Sequence, residues 1–541
     1  MPKWTTIDEL RNLFINKYVK SDFQSELEKD CSEEFELKRD YNGRQILELL
    51  QNVDDACDEK KPDDEVIVNI SFKNNILEVG NTGTKFSAET IERLCLGRAS
   101  EKSSNKIGNK GTGFRSLLND AEWIEIHSGK YSIRFSETYT KNIFDPYIDK
   151  KSPEYSSLID EQKNNWKKDY PFCFPIMNCP EPIKPNSKGF DTLIRVKVKE
   201  ENEKKETSIK KQLEQPFYKS LLFLPNITVI RIENDSEIKE YSKIPKDNLV
   251  TIQEKLEKEN PTKIAEYYLF TKIATINSNE ADLMIAIPKE ENYDFSNEKL
   301  YCYFPIRNFT TPIHALIHAP FLTNNSRDDV PNDETQINKK IFSSILIFIK
   351  EISEKLATLQ LRDLSIQTVV PVMDSKLWEF DTFNLLDEYY EILSSAKILP
   401  TVNNKFISVV DSPKIIQNDL PEEFKGKDFN ELLIELDDET LELVIKLADF
   451  IDYTELEYEE SELAEKINNI SQKSDIKTRI KLFLWCNDYF KSYYIFPQLL
   501  KDTKDNWITE TYRIYLPTDI TGNQKQCHFE ECVRLSLRGT K

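Results

Sequence analysis

Apolar positions recur along this chain at two different periods. In ILELLQNVDDACDEK (46–60), Ile46, Leu47, Leu50, Val53 and Cys57 return at helical spacing. That spacing predicts an amphipathic helix with one buried stripe. Its polar residues are ordered as well: Glu48, Asn52 and Asp55 fall at i, i+4 and i+7, stacked on one face. Residues 5–30 read as an earlier helix with Leu10, Leu13, Phe14 and Tyr18 on its stripe. The period then changes to two. EVIVNISF (65–72) and NILEVG (75–80) alternate as strands about a polar turn at Asn74, and AEWIEIHSG (121–129) and KYSIRF (130–135) form a second pair. A helix near 87–96 separates the pairs. Helices mixed with antiparallel strands predict an α+β sandwich with its helices on one face.

Further along, 137–186 reads as an irregular insertion with a short helix, rich in Tyr, Pro, Lys and Asp. Strands are expected near 227–233, 264–275, 281–287 and 299–305, followed by a strongly periodic helix over 333–357. An amphipathic helix near 376–394, a small mixed region from TVNNKFISVVDS, and acidic helices through 471 follow. DIKTRIKLFLWCNDYFKSYYIFPQLLK reads as a packed helix with an aromatic face, for which core packing is expected over the alternative of a protein contact surface, and ITETYRIYLPTD and CVRLSLRGTK read as strands. These elements suggest three domains: 1–205, 206–360 and a mixed helical and strand region, 361–541, with a possible partner-binding role.

Composition narrows the function classes. The 541 residues are 39% hydrophobic and 31% charged with a net charge of −21, which suits a soluble globular chain and disfavours a broad nucleic-acid surface. A local basic groove stays open, so nucleic-acid contact is undecided. No run of 18 apolar residues occurs and the N-terminus carries no apolar signal core, so a cytoplasmic protein without membrane contact is expected. Nine scattered cysteines without a CxxC pair read as reduced and mostly buried. His314 and His318 make an HxxxH pair in a strand or turn context, and structural histidines are the expectation there.

The sharpest chemical signal is IGNKGTGF. Gly108, Gly111 and Gly113 let backbone N–H groups approach an anion, and FRSLLND then opens a short helix whose N-terminus favours negative charge. The tract is neither a GxxxxGK[ST] phosphate loop nor part of a βαβ dinucleotide unit. The polar stretch from Ser100 to Asn109 before it suits a loop that closes over a ligand, and an ordinary exposed loop is the alternative.

Taken together, ExxxNxxDA on a helix, a glycine-bearing turn, GxxGxGF and a later threonine strand resemble the GHKL ATPases, the superfamily of gyrase, the large heat-shock chaperones, histidine kinases and MutL. ELLQNVDDA, FSAETIERLCLGRASEK and IGNKGTGFRS look most like the sacsin branch and its microbial relatives. The resemblance covers roughly residues 40–200. It implies a Bergerat-type ATP-binding domain over 1–205 with ATP and Mg2+ as cofactors, followed by a transducer-like middle domain. On that resemblance Glu48 is the general base that orients the attacking water, Asn52 the magnesium ligand, and Asp55 a residue of the nucleoside end. Gly108, Gly111, Thr112, Gly113 and Phe114 frame the phosphates with Lys110 as a neutralising charge, while Ser100 and Lys102 belong to the lid. Asp54 is expected at the surface or as a helix partner. The turn GNTGTKF departs from the family: Asn81, two residues before Gly83, stands where an adenine-binding aspartate is usual. Thr192, in GFDTLIRVKVK, matches the late threonine.

In HAPFLTNNSRDDVPND, Arg327 resembles the arginine that reaches the γ-phosphate from the middle domain, with Asn325 and Ser326 shaping its loop and Arg307 a second candidate. The implied activity is Mg-ATP hydrolysis driving clamp or dimer closure. The resemblance extends to bacterial antiviral defence proteins, with a homodimer or a larger complex with a protein effector, such as a nuclease, as the expected assembly. A chaperone-like protein and a non-hydrolysing ATP-sensing scaffold are the alternatives.

Overall fold

The computed structural model describes residues 4–20, 29–32, 34, 44–57, 66–96, 113–119, 121–151, 175–200, 208–214, 217–234, 237–290, 292–324, 327–332, 334–372, 381–416, 420–453, 455–490, 495–501 and 506–507. By backbone contacts the chain divides into two units, Met1–Ile345 with Val372–Phe383, and Leu346–Pro371 with Asn384–Lys541.

The first unit is a mixed α+β structure built on one large sheet. Its first strands are β1 (Ile67–Lys73), β2 (Ile76–Asn81), β3 (Ala121–Ser128), β4 (Tyr131–Ser136), β5 (Glu181–Pro182) and β6 (Thr192–Val198). The later ones are β7 (Val229–Glu233), β8 (Ile238–Lys246), β9 (Leu249–Leu256), β10 (Thr262–Ile276), β11 (Asn279–Pro288), β12 (Lys299–Cys302), β13 (Phe304–Thr310) and β14 (Leu316–His318). They lie side by side as β13-β12-β14-β11-β10-β9-β8-β7-β1-β2-β6-β3-β4-β5. The sheet therefore continues past residue 205. Parallel pairing of β1 with β7, from Ile67 opposite Val229 to Ser71 opposite Glu233, joins its two halves. The β1–β2 turn uses Asn74 and Asn75 at φ 52° and 60°, left-handed conformations that asparagine tolerates and that match hairpin twist.

Three helices, α1 (Ile7–Lys20), α2 (Gln45–Ala56) and α3 (Ala88–Leu96), supply side chains to the core of this unit. Leu10 and Phe14, Ile46, Leu49, Leu50 and Val53, and Ile91 and Cys95 share one apolar cluster with Val68, Ile70, Val79, Ile124, Ile126, Ile133, Ile194 and Val196. Strand alternation sends other residues to the opposite face, where they form a ladder of charges. Arg195 bridges Glu78 (2.9 Å) and Glu125 (2.6 Å), and Arg134 pairs with Glu125 at 2.5 Å. Both guanidinium groups also approach the Trp123 ring, centred 5.3 and 5.7 Å away.

The hairpin β8–β9 was not expected, because EIKEYSKIPKDNLVTIQEKL carries polar residues on both faces and blurs the alternation. Its turn places Asp247 at φ 54°. The segment after β4 holds a longer helix, Glu137–Lys151, than the short one expected. The periodic helix near 333–357 runs from Ile337 to Thr358, and of the helix expected over 376–394 the structure describes Leu386–Ser395. The strands expected in ITETYRIYLPTD and CVRLSLRGTK lie outside the described residues. In the second unit, Asp438–Phe450, Glu460–Lys473 and Ile476–Tyr489 are helices, and the first and last begin with an aspartate side chain accepting from Thr440 N or Thr478 N. Phe483 and Cys486 of the last helix pack with Phe424, Phe429, Leu463 and Ile467, so its aromatic face is core.

Asp54 corrects the expectation of a surface residue. It is 3% exposed, and its Oδ1 accepts the backbone N–H groups of Asn226 (2.9 Å) and Ile227 (3.0 Å). This carboxylate, at the end of α2, pins the chain as it enters β7. The half-buried Lys243 side chain donates to the Leu224 carbonyl on the same loop. Burial pushes this lysine down to about 8, with Asp54 acting in the opposite direction.

Asp54→Ala should strand two buried donors and lower unfolding free energy by roughly 2–4 kcal/mol, read from denaturant unfolding. Lys243 gives a pH signature. Its folded pKa lies below the unfolded value, so between about pH 8 and 10.5 the unfolded chain binds more protons and stability rises with pH. Lys243→Met should flatten that rise relative to the parent, and an identical slope in both proteins would show that Lys243 is not its source.

Candidate functional site

Of the stripe expected on α2, Ile46, Leu50, Val53 and Cys57 are all under 5% exposed, whereas Leu47 is half-buried and Leu49 takes the core position instead. The helix's polar residues are therefore more enclosed than an amphipathic surface helix implies. Glu48 (4%), Gln51 (8%) and Asp54 are buried, while Asn52 is half-buried. Asp55 lies on the same helix, and its side chain is outside what the structure describes. The N-terminus of α2 is closed by a side chain remote in sequence, since Gln212 Oε1 accepts from Ile46 N (3.1 Å) and Gln212 Nε2 donates to Gln45 Oε1 (2.6 Å).

Arg327 meets this helix. Its Nη1 lies 3.1 Å from Glu48 Oε1 and donates to Gln51 Oε1 at 3.0 Å, across 276 positions of sequence. The short distance to Glu48 is an ion pair, while the aligned hydrogen bond goes to Gln51. Both charged partners are at most a tenth exposed, so the low dielectric strengthens their attraction and raises the cost of separating them. Arg327 itself sits at φ 52°, a left-handed conformation disfavoured for a residue with a long side chain. Among the described residues, Arg327 N donates to Asn324 O (3.0 Å) and Arg44 Nη1 donates to Arg327 O (2.6 Å).

Arg44 and Gln51 are members of the cluster that sequence reading missed. Their positions, one turn before and three residues after Glu48, put them on the Glu48 side of the helix. That spacing is the signal that could have found them. Arg44 is 3% exposed, and burial, opposed by Glu48 and reinforced by Arg327 and Arg307, lowers it to about 10. It stays charged at neutral pH. The Cys302 thiol beside these groups is pushed up by burial, with Arg327 and Arg44 pulling the other way. Arg307, the second arginine candidate, is exposed on β13.

A second group of expected residues gathers where β2 and β6 end. Asn81 pairs with Thr192 in the sheet, and both are 3% exposed. Thr192 Oγ1 shares a 2.7 Å hydrogen bond with Ser128 Oγ. Gly83 N donates to Asp191 Oδ2 at 3.2 Å, and Asp191 N donates to Asn81 O at 3.1 Å. A Cβ on Gly83 would lie 2.8 Å from Asn81 Nδ2 and 3.0 Å from Cys57 Sγ, so a side chain there would have to displace the Asn81 amide. Asp191 also went unnoticed in the sequence. It places a carboxylate beside Gly83, next to the position where Asn81 lacks one, with Lys85 Nζ 3.4 Å from its Oδ1.

Of the glycine-rich tract, Ser100, Lys102, Gly108, Lys110, Gly111 and Thr112 lie outside the described residues, as do Asn325 and Ser326. Gly113 opens a tight helical turn, Gly113–Asn119, and Phe114 is buried in the core. Arg115 anchors this turn. Its Nη2 donates to Cys95 O (3.1 Å) and its Nη1 lies 3.6 Å from Glu34 Oε2. Glu34 is fully buried and accepts from Ile176 N and Met177 N at 3.1 and 3.2 Å. The exit of the glycine tract is thereby tied to α3 and to the segment before β5. His318, of the HxxxH pair, lies on β14, where Nδ1 accepts from Tyr303 N at 2.8 Å. Burial lowers it to about 3, which leaves it neutral.

In comparisons with known proteins, no family model matches the chain and no curated protein matches it.

Proposed function

We propose that the chain is an ATPase of the GHKL type, in which α2 supplies the water-orienting carboxylate and the loop after β14 supplies an arginine for the terminal phosphate. One observation carries this reading: the approach of Arg327 to Glu48, two residues far apart in sequence to which the resemblance gives complementary roles in one reaction. A buried carboxylate held by a guanidinium that is itself anchored on the Gln51 amide oxygen has a restricted orientation, and a general base depends on such geometry. The left-handed backbone at Arg327 is consistent with a residue held at a functional position.

The remaining assignments follow from position. Asn52, half-buried one turn beyond Glu48, offers the amide oxygen that a hard cation accepts alongside phosphate and water oxygens. Magnesium held there would screen charge on the phosphates. Asn81, Gly83 and Thr192 would form the base-binding end, where the Asn81 side-chain oxygen accepts from an exocyclic amino group and Asp191 fixes the Gly83 N–H. The Bergerat-type sandwich, the closure of a dimer or clamp on ATP, and a place in antiviral defence beside a protein effector belong to the same proposal and rest on the sequence resemblance.

Glu48→Gln and Glu48→Ala should retain nucleotide affinity and lower turnover by about 10²–10⁴-fold, measured as phosphate release beside calorimetric titration. Arg327→Ala should reduce turnover far more than affinity, with Arg327→Lys an incomplete rescue because a point charge cannot reproduce the planar fork. Parental turnover in either set removes the assigned role of that residue.

A further inference from the structure

Arg44 spends one of its three nitrogens on protein. Nη1 donates to the Arg327 carbonyl at 2.6 Å, while Nε and Nη2 are buried and have no hydrogen-bond partner among the described residues. Those two nitrogens form one edge of the planar guanidinium, the edge that grips two oxygens of a single carboxylate or phosphate side by side. A buried donor without an acceptor costs about 1–3 kcal/mol, and more when it is charged. Two of them on one residue at 3% exposure are therefore an expensive arrangement to maintain. The charges felt by Arg44 point the same way: Glu48 is the carboxylate that favours its cation, and Arg327 and Arg307 both oppose it.

We propose that Arg44 is a second anion-binding arginine of this site, with its Nε–Nη2 edge taking two oxygens of a phosphoryl group while its Nη1 holds the Arg327 loop. The inference rests on the nucleotide reading for the identity of the phosphoryl group, which is then the terminal phosphate of ATP or the inorganic phosphate released from it. It gives Arg44 two tasks on one rigid plane. An anion drawn onto the open edge fixes the guanidinium, and the guanidinium fixes the carbonyl of the residue that faces Glu48. Arg44 thus binds the anion directly and acts on Glu48 only as a positioning residue, through Arg327.

Arg44→Lys separates the tasks, because an ammonium can still donate to the Arg327 carbonyl and keeps the charge but cannot present a two-pronged edge. Arg44→Gln, which keeps a single neutral donor, is the second variant should the lysine form fold poorly, and melting temperatures identify the variants that fold as the parent does. Inorganic phosphate, Mg-ADP and a magnesium-bound non-hydrolysable ATP analogue would each be titrated into the full chain and the folded variant by calorimetry. Loss of one bidentate charged contact should weaken the ATP analogue by about tenfold to a hundredfold. Mg-ADP should bind nearly as it does to the parent. A comparable loss for phosphate alone would assign the edge to the released product as well, and unchanged phosphate binding would restrict it to the bound triphosphate. Equal weakening of ADP and the ATP analogue, or no weakening of either, overturns the proposal. A parent that binds neither nucleotide refutes the nucleotide reading on its own; in that case phosphate binding lost in the variant sustains an anion site at Arg44, and a parent that also ignores phosphate overturns it.

Discussion

Two backbone N–H groups, those of Asn226 and Ile227, end on the carboxylate of Asp54, and much of the first unit is arranged around that junction. The bond sets where the chain enters β7. From there β7 lies parallel to β1, and β8 to β14 extend the same sheet away from the first six strands. The loop after β14 returns Arg327 to the helix that bears Asp54. A single buried carboxylate at the end of α2 thus fixes the path by which a distant arginine reaches Glu48 near the start of the same helix. Asp54 is silent in chemistry and central in geometry.

How legible this was depended on how strongly each segment was patterned. β1 to β4, α2, α3 and the helix ending at Thr358 follow strong periods and appear within a few residues of where the pattern puts them. The β8–β9 hairpin was lost because polar residues fall on both of its faces among the buried Tyr241, Val250 and Ile252, so no period stood out. Asp54 was misread because a helical wheel shows which side a residue is on and not what later packs there. Its partners lie some 170 residues away, and no local pattern encodes them. At the site, Glu48, Asn52 and Arg327 were visible as residue types in context. Arg44 and Gln51 stand at helical spacing from Glu48 but take on a role only through Arg327, some 280 residues away, and Asp191 only through the turn at Gly83.

The cluster at the start of α2 has the physical character expected where charge must be managed away from water. Its ionic groups are enclosed, one backbone position is held in a disfavoured conformation, and a guanidinium keeps two donors in reserve. Each feature has a cost in stability, and natural chains keep such costs mainly where they serve a purpose. The group around Asn81 differs. Its hydrogen bonds and the close approach at Gly83 account for most of its residues as architecture, and Asp191 adds a carboxylate that holds the Gly83 N–H and faces Lys85.

The ladder on the open face of the sheet bears on how this sequence can drift. Glu125 takes a guanidinium from each side, Arg134 from β4 and Arg195 from β6, and Arg195 in turn reaches Glu78 on β2. A neutral residue at Glu125 strips Arg134 of its carboxylate and leaves Arg195 on Glu78 alone, whereas the same loss at Glu78 leaves both arginines on Glu125. The four positions are consequently unequal in what they permit. Changes at the outer rungs can accumulate singly, while a change at Glu125 becomes tolerable mainly after one of its arginines has already been replaced. The order of substitutions, and not only their identity, is constrained by the way these four side chains share charge.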